Sequence, residues 1–181
     1  MEDRQLTATS RFLSLVLRHK PGIINLSLDA NGWAAVDELL EKLARNGRST
    51  SLAELEFIVQ SNAKKRFAFD ASGKKIRASQ GHSIDIDAGY PATEPPGILY
   101  HGTAMKFIDA IISSGGLQKM HRQHVHLSAD QATALTVGCR HGEPLVITVD
   151  AMGMHQQALA FYQSENGVWL TDNVPLRFLQ Y

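Results

Sequence analysis

Ile98-Leu99-Tyr100-His101-Gly102-Thr103 is a short apolar run that ends in a polar corner, and a helix-like segment follows it to Ser113. The pattern predicts a strand that stops at His-Gly-Thr and leads into a helix. Because Gly102 has no side chain to cover its backbone, a flat amide or a ribose could bind there between an imidazole and a hydroxyl. Gly and Thr after a strand are also ordinary turn residues, so the motif alone leaves both interpretations open.

The residues after this motif predict short strands and two helices. Residues 124–128 and 144–150 are expected to be strands, and residues 129–139 a helix. Residues 164–167, Ser-Glu-Asn-Gly, are typical of the turn of a β-hairpin, and a last strand is expected at residues 176–179. Many short strands with two helices predict an α+β lobe with a split antiparallel sheet, which we assign to residues 98–181.

The beginning of the chain has a helical pattern. Apolar spacing predicts one helix over residues 10–20 and a second over residues 38–46, for which Asp37 is the expected N-cap. Ser51 and Glu54 have the spacing of a capping box, which predicts a third helix that begins after Ser51.

A basic hairpin is predicted after these helices, with strands at residues 67–69 and 74–77. Helices joined by a short turn and followed by a hairpin are the ingredients of a winged helix, a module that often binds nucleic acid. We therefore predict a winged-helix lobe over residues 1–80. Residues 81–97, which contain three prolines, are predicted to be the linker between the lobes.

Charge is distributed unevenly along a chain whose formal net charge is zero. Residues 1–80 carry 13 Lys and Arg against 9 Asp and Glu, whereas residues 81–181 carry 5 against 9. A basic lobe of net charge +4 joined to an acidic lobe of −4 suggests that a polyanion binds the first. A solvated surface that is merely uneven would have the same charges, so this alternative stays open.

Composition excludes several classes of protein. No apolar run approaches the roughly 18 residues that a membrane span needs. The single cysteine, Cys139, excludes an internal disulfide and agrees with a reducing compartment. We therefore expect a cytoplasmic protein that does not contact the membrane, and we expect a monomer.

Motifs for other kinds of catalytic chemistry are weak. His124 and His126 would share one face of a strand, as zinc ligands can, but no carboxylate or Cys lies at ligand spacing nearby, so no metal site is predicted. The chain has neither a Gly-x-Ser-x-Gly elbow nor a Walker loop. Several arginines and histidines remain, and converging guanidiniums would bind a phosphate dianion, although spacing alone does not show convergence.

Six blocks of sequence occur together in a distinctive order. They are Leu17-Arg18-His19-Lys20-Pro21, Lys65-Arg66-Phe67, Ile76-Arg77-Ala78-Ser79-Gln80-Gly81-His82-Ser83, Tyr100-His101-Gly102-Thr103, Arg122-Gln123-His124-Val125-His126-Leu127-Ser128 and Asn166-Gly167-Val168-Trp169-Leu170-Thr171. In this order they resemble the KptA family of NAD-dependent RNA 2′-phosphotransferases, and the resemblance extends over residues 10–179.

The resemblance implies a winged-helix lobe that binds RNA and an ADP-ribosyltransferase-like lobe that binds NAD+. The family's Arg-His-Arg-Arg catalytic set falls on Arg18, His19, Arg66 and Arg122. The NAD-binding residues fall on His101, Gly102, Thr103, His126 and Ser128. The candidate RNA contacts are Lys20, Lys64, Lys65 and His82.

The activity that the resemblance implies is removal of an internal 2′-phosphate left at an RNA splice junction, as in tRNA splicing. NAD+ is consumed, an RNA-2′-phospho-ADP-ribose intermediate forms, and nicotinamide and ADP-ribose 1″,2″-cyclic phosphate are released. Our hypothesis is that Arg18, Arg66 and Arg122 clamp the phosphate while His19 assists proton transfer. No metal is expected, because the arginines supply the positive charge.

Two other functions stay open at this point. An ADP-ribosyltransferase that caps nucleic-acid phosphate ends would share the His-Gly-Thr motif but would not need Arg18 and Arg66 together. A non-catalytic winged-helix regulator whose second lobe senses a nucleotide would bind nucleic acid without releasing nicotinamide.

Overall fold

The computed structural model describes residues 3–181, with side chains described from Gln5 onward. The described chain divides into two compact units, and the boundary lies between Gly89 and Tyr90. Each unit combines α-helices with small antiparallel sheets, which confirms the predicted α+β class. Residues 1 and 2 of the predicted first lobe lie outside the described residues.

The first unit contains three α-helices in its described part: α1 (Asp3–Arg18), α2 (Val36–Arg45) and α3 (Leu52–Ser61). A 3-10 turn at residues 21–24 follows α1. One antiparallel sheet has the order β1-β3-β2, formed by β1 (Ala34–Ala35), β2 (Phe67–Phe69) and β3 (Lys75–Ala78). Its core is made of apolar side chains from all three helices and the sheet, among them Leu13, Leu39, Leu55 and Ile76.

The helices of the first unit were predicted, but two of their boundaries differ. α1 begins at Asp3 rather than at residue 10, and its Leu6 packs against the core. The predicted N-cap at Asp37 is wrong, because α2 begins at Val36 and Asp37 lies in its first turn, where a carboxylate favours the helix dipole. The capping box of α3 is confirmed: Ser51 N–H donates to the Glu54 carboxylate, and Glu54 N–H donates to the Ser51 hydroxyl.

The predicted linker, residues 81–97, is divided between the two units. Ser83 N–H donates to the Arg18 carbonyl at 3.0 Å, and the Arg77 guanidinium donates to the Ala88 carbonyl at 2.9 Å. In the second unit, Thr93 N–H donates to the carbonyl of Phe161 at 2.8 Å. Residues 81–89 of the predicted linker therefore cluster with the first unit, and residues 90–97 cluster with the second.

The second unit contains three α-helices and eight strands in its described part. The helices are α4 (Ile108–Ser113), α5 (Gln131–Gly138) and α6 (Ala151–Gln156). The strands are β4 (Ile98–Ala104), β5 (Gly116–Gln118), β6 (Val125–Leu127), β7 (Pro144–Asp150), β8 (Tyr162–Gln163), β9 (Trp169–Thr171), β10 (Asn173–Pro175) and β11 (Leu179–Gln180). α6 was not predicted, and most of the strand expected at residues 176–179 is a 3-10 turn.

These strands form three small antiparallel sheets with the orders β11-β7-β4, β6-β9-β8 and β10-β5. A bridge between Tyr100 and Ser128 joins β4 to the residue after β6, so the first two sheets meet there. The buried face of β4 and β7 contributes Leu99, Ile147 and Val149 to the core of this unit. Among the described residues, no helix has the combination of length and apolarity needed to cross a membrane.

Gly102 lies inside β4 and not at the end of a strand. The strand continues to Ala104, and Gly102 pairs with Val146 of β7. A Cβ atom on Gly102 would overlap the backbone carbonyl of Ala134 in α5. The predicted strand over residues 98–103 is therefore confirmed to within one residue, and the missing side chain of Gly102 makes room for the close approach of α5.

We predict that Gly102→Ala destabilises the second unit by about 2 kcal/mol or more, because two backbone segments would have to separate to admit one methyl group. Thermal unfolding followed by circular dichroism measures this effect. Gly97→Ala is the matched control, since a Cβ at Gly97 meets nothing within 4 Å. If both variants unfolded at the wild-type temperature, the packing explanation for Gly102 would be wrong.

Candidate active site

Arg18 and His19 lie where α1 ends. Arg18 is the last residue of the helix, where a cation is favoured by the helix dipole. Its Nη2 donates to the backbone carbonyl of Arg66 at 3.3 Å, which joins residues 48 positions apart in the sequence. The structure therefore brings together Arg18, His19 and Arg66, three of the four predicted catalytic residues.

The turn that carries Arg66 is held by its neighbours. The Asn62 side-chain oxygen accepts from the N–H of Lys64 at 3.1 Å and from the Arg66 guanidinium at 3.5 Å. Ser79 N–H donates to the Arg66 carbonyl at 2.9 Å, and the Ser79 hydroxyl donates to the Lys65 carbonyl at 2.9 Å. Lys65 adopts a left-handed backbone with φ of 42°, a conformation that costs energy for a residue with a Cβ.

Ser83 contacts His19 directly, a role that the sequence analysis missed. The Ser83 hydroxyl lies 2.9 Å from Nδ1 of His19, at hydrogen-bond distance. The backbone N–H of the same serine donates to the carbonyl of Arg18. The available signal was its place beside His82 in one of the six blocks, but a contact across 64 residues is not visible in sequence spacing.

His82 is 2% exposed, although it was predicted to contact RNA. Burial, together with the positive charges of Arg18, His19 and Arg77, lowers the pKa of His82 to about 4. Its Nε2 has no hydrogen-bond partner among the described residues. The ring is therefore neutral near pH 7, and its burial favours a structural role near Arg18 and His19 over direct contact with RNA.

Lys20, Lys64 and Lys65 are exposed, as residues that contact RNA have to be. Lys64 lines an open groove of about 660 Å³ between α1 and α3, together with Arg18 and Arg66. Lys20 and Lys65 are not among the residues that line this groove. Of these three lysines, Lys64 is therefore the one that shares the described groove with Arg18 and Arg66.

In the second unit, the His101 ring has one tautomer fixed by its partner. Its Nδ1 lies 3.0 Å from the carbonyl oxygen of His126. Because a carbonyl only accepts hydrogen bonds, Nδ1 must carry a proton. Burial lowers the pKa of His101 from its ordinary value; the bond to His126 raises it, and the charge of Arg122 lowers it. A neutral His101 therefore has an unprotonated Nε2 that can accept a hydrogen bond.

Arg122 and His126 extend this network. The Arg122 guanidinium donates to Nδ1 of His126 at 2.7 Å. Ser128 is held against β4 by two backbone bonds with Tyr100, of 2.9 and 2.8 Å. His126 therefore links His101, which bonds to its backbone carbonyl, with Arg122, which bonds to its ring.

The remaining predicted NAD-binding residues lie on β4. Thr103 is two residues after His101, so the two side chains project from the same face of the strand, and Thr103 is buried. Gly102 projects toward the opposite face, where α5 packs. The structure thus gives Gly102 a packing role and leaves His101 and Thr103 on a different face.

The candidate residues form two clusters that consist mainly of guanidinium and imidazole groups. The first contains Arg18, His19 and Arg66, and the second contains His101, Arg122 and His126. Arginine presents donors in a planar fork that matches two phosphate oxygens, and a neutral histidine accepts a hydrogen bond from a hydroxyl. Within the described part of the chain, no group of three or more His, Cys, Asp or Glu is arranged to hold a metal ion. The arrangement suits phosphate and sugar ligands.

Comparison with known proteins agrees with this chemistry. Residues 3–173 match the family model described as "RNA 2'-phosphotransferase, Tpt1 / KptA family". Proteins named "Probable RNA 2'-phosphotransferase" from Nostoc punctiforme and Flavobacterium johnsoniae are each 49% identical to this chain, over 99% and 100% of it and 99% of each relative. A protein of the same name from Pseudomonas aeruginosa is 50% identical over 99% of both chains.

The match defines a class of transferase that acts on phosphate groups of RNA. The chain belongs to the Tpt1/KptA family of RNA 2′-phosphotransferases. The resemblance drawn from the six sequence blocks is confirmed.

We predict that protonation of His82 destabilises the first unit. The folded-state pKa of about 4 lies below the ordinary value of 6.5, so the unfolded chain binds the proton first and stability is lost as the pH falls from about 6.5 to about 4. The loss attributable to His82 reaches about 3 kcal/mol. Denaturant unfolding of wild type and His82→Gln across this pH range measures it. Identical pH slopes in the two proteins would contradict the prediction.

Proposed function

We propose that this protein is an NAD-dependent RNA 2′-phosphotransferase that removes an internal 2′-phosphate from RNA. The observation that supports this most directly is the contact between Arg18 and the backbone of Arg66, with His19 adjacent, in a chain of this family. Two cations and an imidazole at one place are suited to bind a phosphate dianion and to move a proton.

We further propose that the first unit is a winged-helix lobe that binds RNA and that the second is an ADP-ribosyltransferase-like lobe that binds NAD+. The order of three helices followed by the β2–β3 hairpin supports the first assignment. The antiparallel pair β4–β7, with the histidine network beside it, supports the second.

In the proposed first step, an oxygen of the RNA 2′-phosphate forms a bond to C1″ of the NAD+ ribose, and the bond from C1″ to nicotinamide breaks. The product is RNA-2′-phospho-ADP-ribose with free nicotinamide. Because a phosphate monoester is already ionised near neutral pH, this step depends on positioning more than on a base.

In the proposed second step, the ribose 2″-hydroxyl attacks the phosphorus and loses its proton to solvent, while the bond to the RNA 2′-oxygen breaks. RNA with a 2′-hydroxyl leaves, and ADP-ribose 1″,2″-cyclic phosphate remains. Negative charge grows on the phosphate oxygens, which Arg18, Arg66 and Arg122 are proposed to stabilise without reorganising. His19 is proposed to give a proton to the departing 2′-oxygen.

NAD+ enters this scheme as a substrate that is consumed, and the second unit has groups that fit it. The unprotonated Nε2 of His101 can accept a hydrogen bond from a ribose hydroxyl, and Thr103, His126 and Ser128 are proposed to complete the binding site. Gly102 contributes by allowing α5 to pack against β4.

RNA is proposed to contact Lys20, Lys64 and Lys65. The buried His82 is proposed to help hold Arg18 and His19 in place. No metal is required in this scheme. The single cysteine, which is exposed and forms no disulfide, agrees with the cytoplasm as the place of action, and we propose a monomer as the active form.

The direct test mixes the protein with NAD+ and a short RNA that carries one internal 2′-phosphate, and follows the RNA mass together with free nicotinamide. We expect loss of the phosphate with equal release of nicotinamide. Arg18→Ala, Arg66→Ala and Arg122→Ala should each lower the rate about a hundredfold or more, as the loss of a transition-state donor commonly does.

Arg45→Ala and Arg140→Ala are the controls, since both arginines are exposed and lie outside the proposed site. Nicotinamide release with ADP-ribose retained on the RNA would favour an end-capping transferase. RNA binding without any nicotinamide release would favour a non-catalytic regulator.

We predict that Ser83→Ala slows the second step about tenfold, because His19 loses the hydroxyl that orients its ring. Single-turnover reactions should show RNA-2′-phospho-ADP-ribose accumulating in this variant. Ser83→Thr retains the hydroxyl at an exposed position and should restore the rate. Processing of the intermediate by His19→Ala at the wild-type rate would refute the role of the histidine itself.

A further inference from the structure

The groove between α1 and α3 extends well beyond the proposed catalytic residues. Of the eleven described residues that line it, four are Lys or Arg and none is acidic. The chain as a whole has 18 Lys and Arg and 18 Asp and Glu, so composition does not account for this bias. The cationic residues of the groove are Arg11, Arg18, Lys64 and Arg66.

One face of α1 forms a wall of the groove. Thr7, Arg11, Ser14 and Arg18 follow one another at spacings of four, three and four residues, which places them along a single stripe of the helix. The buried Leu13 fixes the rotation of α1, because it faces the core of the first unit. The stripe therefore leads from the proposed active site toward the N-terminal end of the helix.

Arg11 is the member of this stripe that no proposed step uses. Its side chain is exposed, and it has no carboxylate partner within the part of the chain whose side chains are described. Arg45, an exposed arginine of α2, instead pairs with Glu41. Arg11 and Arg18 are seven positions apart, which corresponds to about 10.5 Å along the helix axis.

A single small anion would not use cations that lie this far apart. A nucleic-acid strand presents a phosphate at every nucleotide, so cations spread along a groove can each contact a different phosphate.

The other groove residues fit the same ligand. The hydroxyls of Thr7 and Ser10 can donate to phosphate oxygens, and the apolar side chains of Leu6 and Ile58 offer a surface for sugars or bases.

We propose that this groove binds the phosphodiester backbone of the RNA strand that carries the 2′-phosphate, with Arg11 contacting a backbone phosphate other than the reacting one. The inference rests on the proposed function, because it takes 2′-phosphorylated RNA as the ligand. It adds a contact that sets the affinity for longer RNA, and Arg11 takes no part in the chemical steps.

The test compares wild type, Arg11→Ala and Arg45→Ala, each as the full chain. Binding of a ten-nucleotide RNA with a central 2′-phosphate is measured by fluorescence anisotropy over a range of salt concentrations, without NAD+. Arg11→Ala should weaken binding about tenfold and reduce the slope of log K against log salt by about 0.7, the value for one phosphate contact to a single strand. Arg45→Ala removes the same charge from the same unit and should behave like wild type.

Turnover with NAD+ adds a second readout. Arg11→Ala should raise KM for the ten-nucleotide RNA several-fold more than KM for a 2′-phosphorylated dinucleotide, which is too short to reach Arg11. Equal effects on both RNAs, or equal binding by Arg11→Ala and Arg45→Ala, would overturn the proposal. Thermal unfolding of Arg11→Ala and Arg45→Ala serves as the control that both variants are folded.

Failure of this inference is distinguishable from failure of the proposed function. If wild type releases no nicotinamide but Arg11→Ala still weakens binding with a reduced salt slope, the groove is an RNA site and the proposed reaction is wrong. If wild type removes the 2′-phosphate and Arg11→Ala matches Arg45→Ala in binding, the reaction stands and the groove proposal fails.

Discussion

Hydrogen bonds at the C-terminal turn of α1 hold together three segments that are far apart in the sequence. Arg18 donates to the carbonyl of Arg66, and Ser83 donates its N–H to the carbonyl of Arg18. The last carbonyls of a helix have no partner within the helix, so Ser83 satisfies one of them while it brings its hydroxyl to His19. The same bonds that end the helix therefore position the cationic groups that we propose to act on the phosphate.

The positive charges near the end of α1 are tolerated because His82, the buried residue beside Arg18 and His19, stays neutral. His82 lies in the interior near Arg18 and His19, and its lowered pKa keeps it uncharged at neutral pH. In the second unit a hydrogen bond to a carbonyl fixes the tautomer of His101, and Arg122 binds the ring of His126. Both clusters thus use neutral imidazoles beside guanidiniums, which leaves the positive charge for an anionic ligand.

Local signals predicted those elements whose determinants lie close together in the chain. The capping box of Ser51 and Glu54 needs only four residues, and the strand over residues 144–150 is mostly apolar, so both were predicted correctly. The Asp37 cap was wrong because β1 delivers the chain to α2 at Val36. Residues 81–89 were included in the predicted linker, but they pack on the first unit through backbone hydrogen bonds that no local pattern encodes.

The sequence by itself determined the α+β class, the family and the identities of the candidate catalytic residues, because these depend on residue types in a fixed order. Only the tertiary structure decided that Arg18 lies against Arg66, that Ser83 contacts His19 and that His82 is buried. It also showed that Gly102 allows α5 to pack closely against β4. The physical reason is range: propensity and capping act over a few residues, whereas hydrogen bonds and burial join segments separated by 48 to 64 positions.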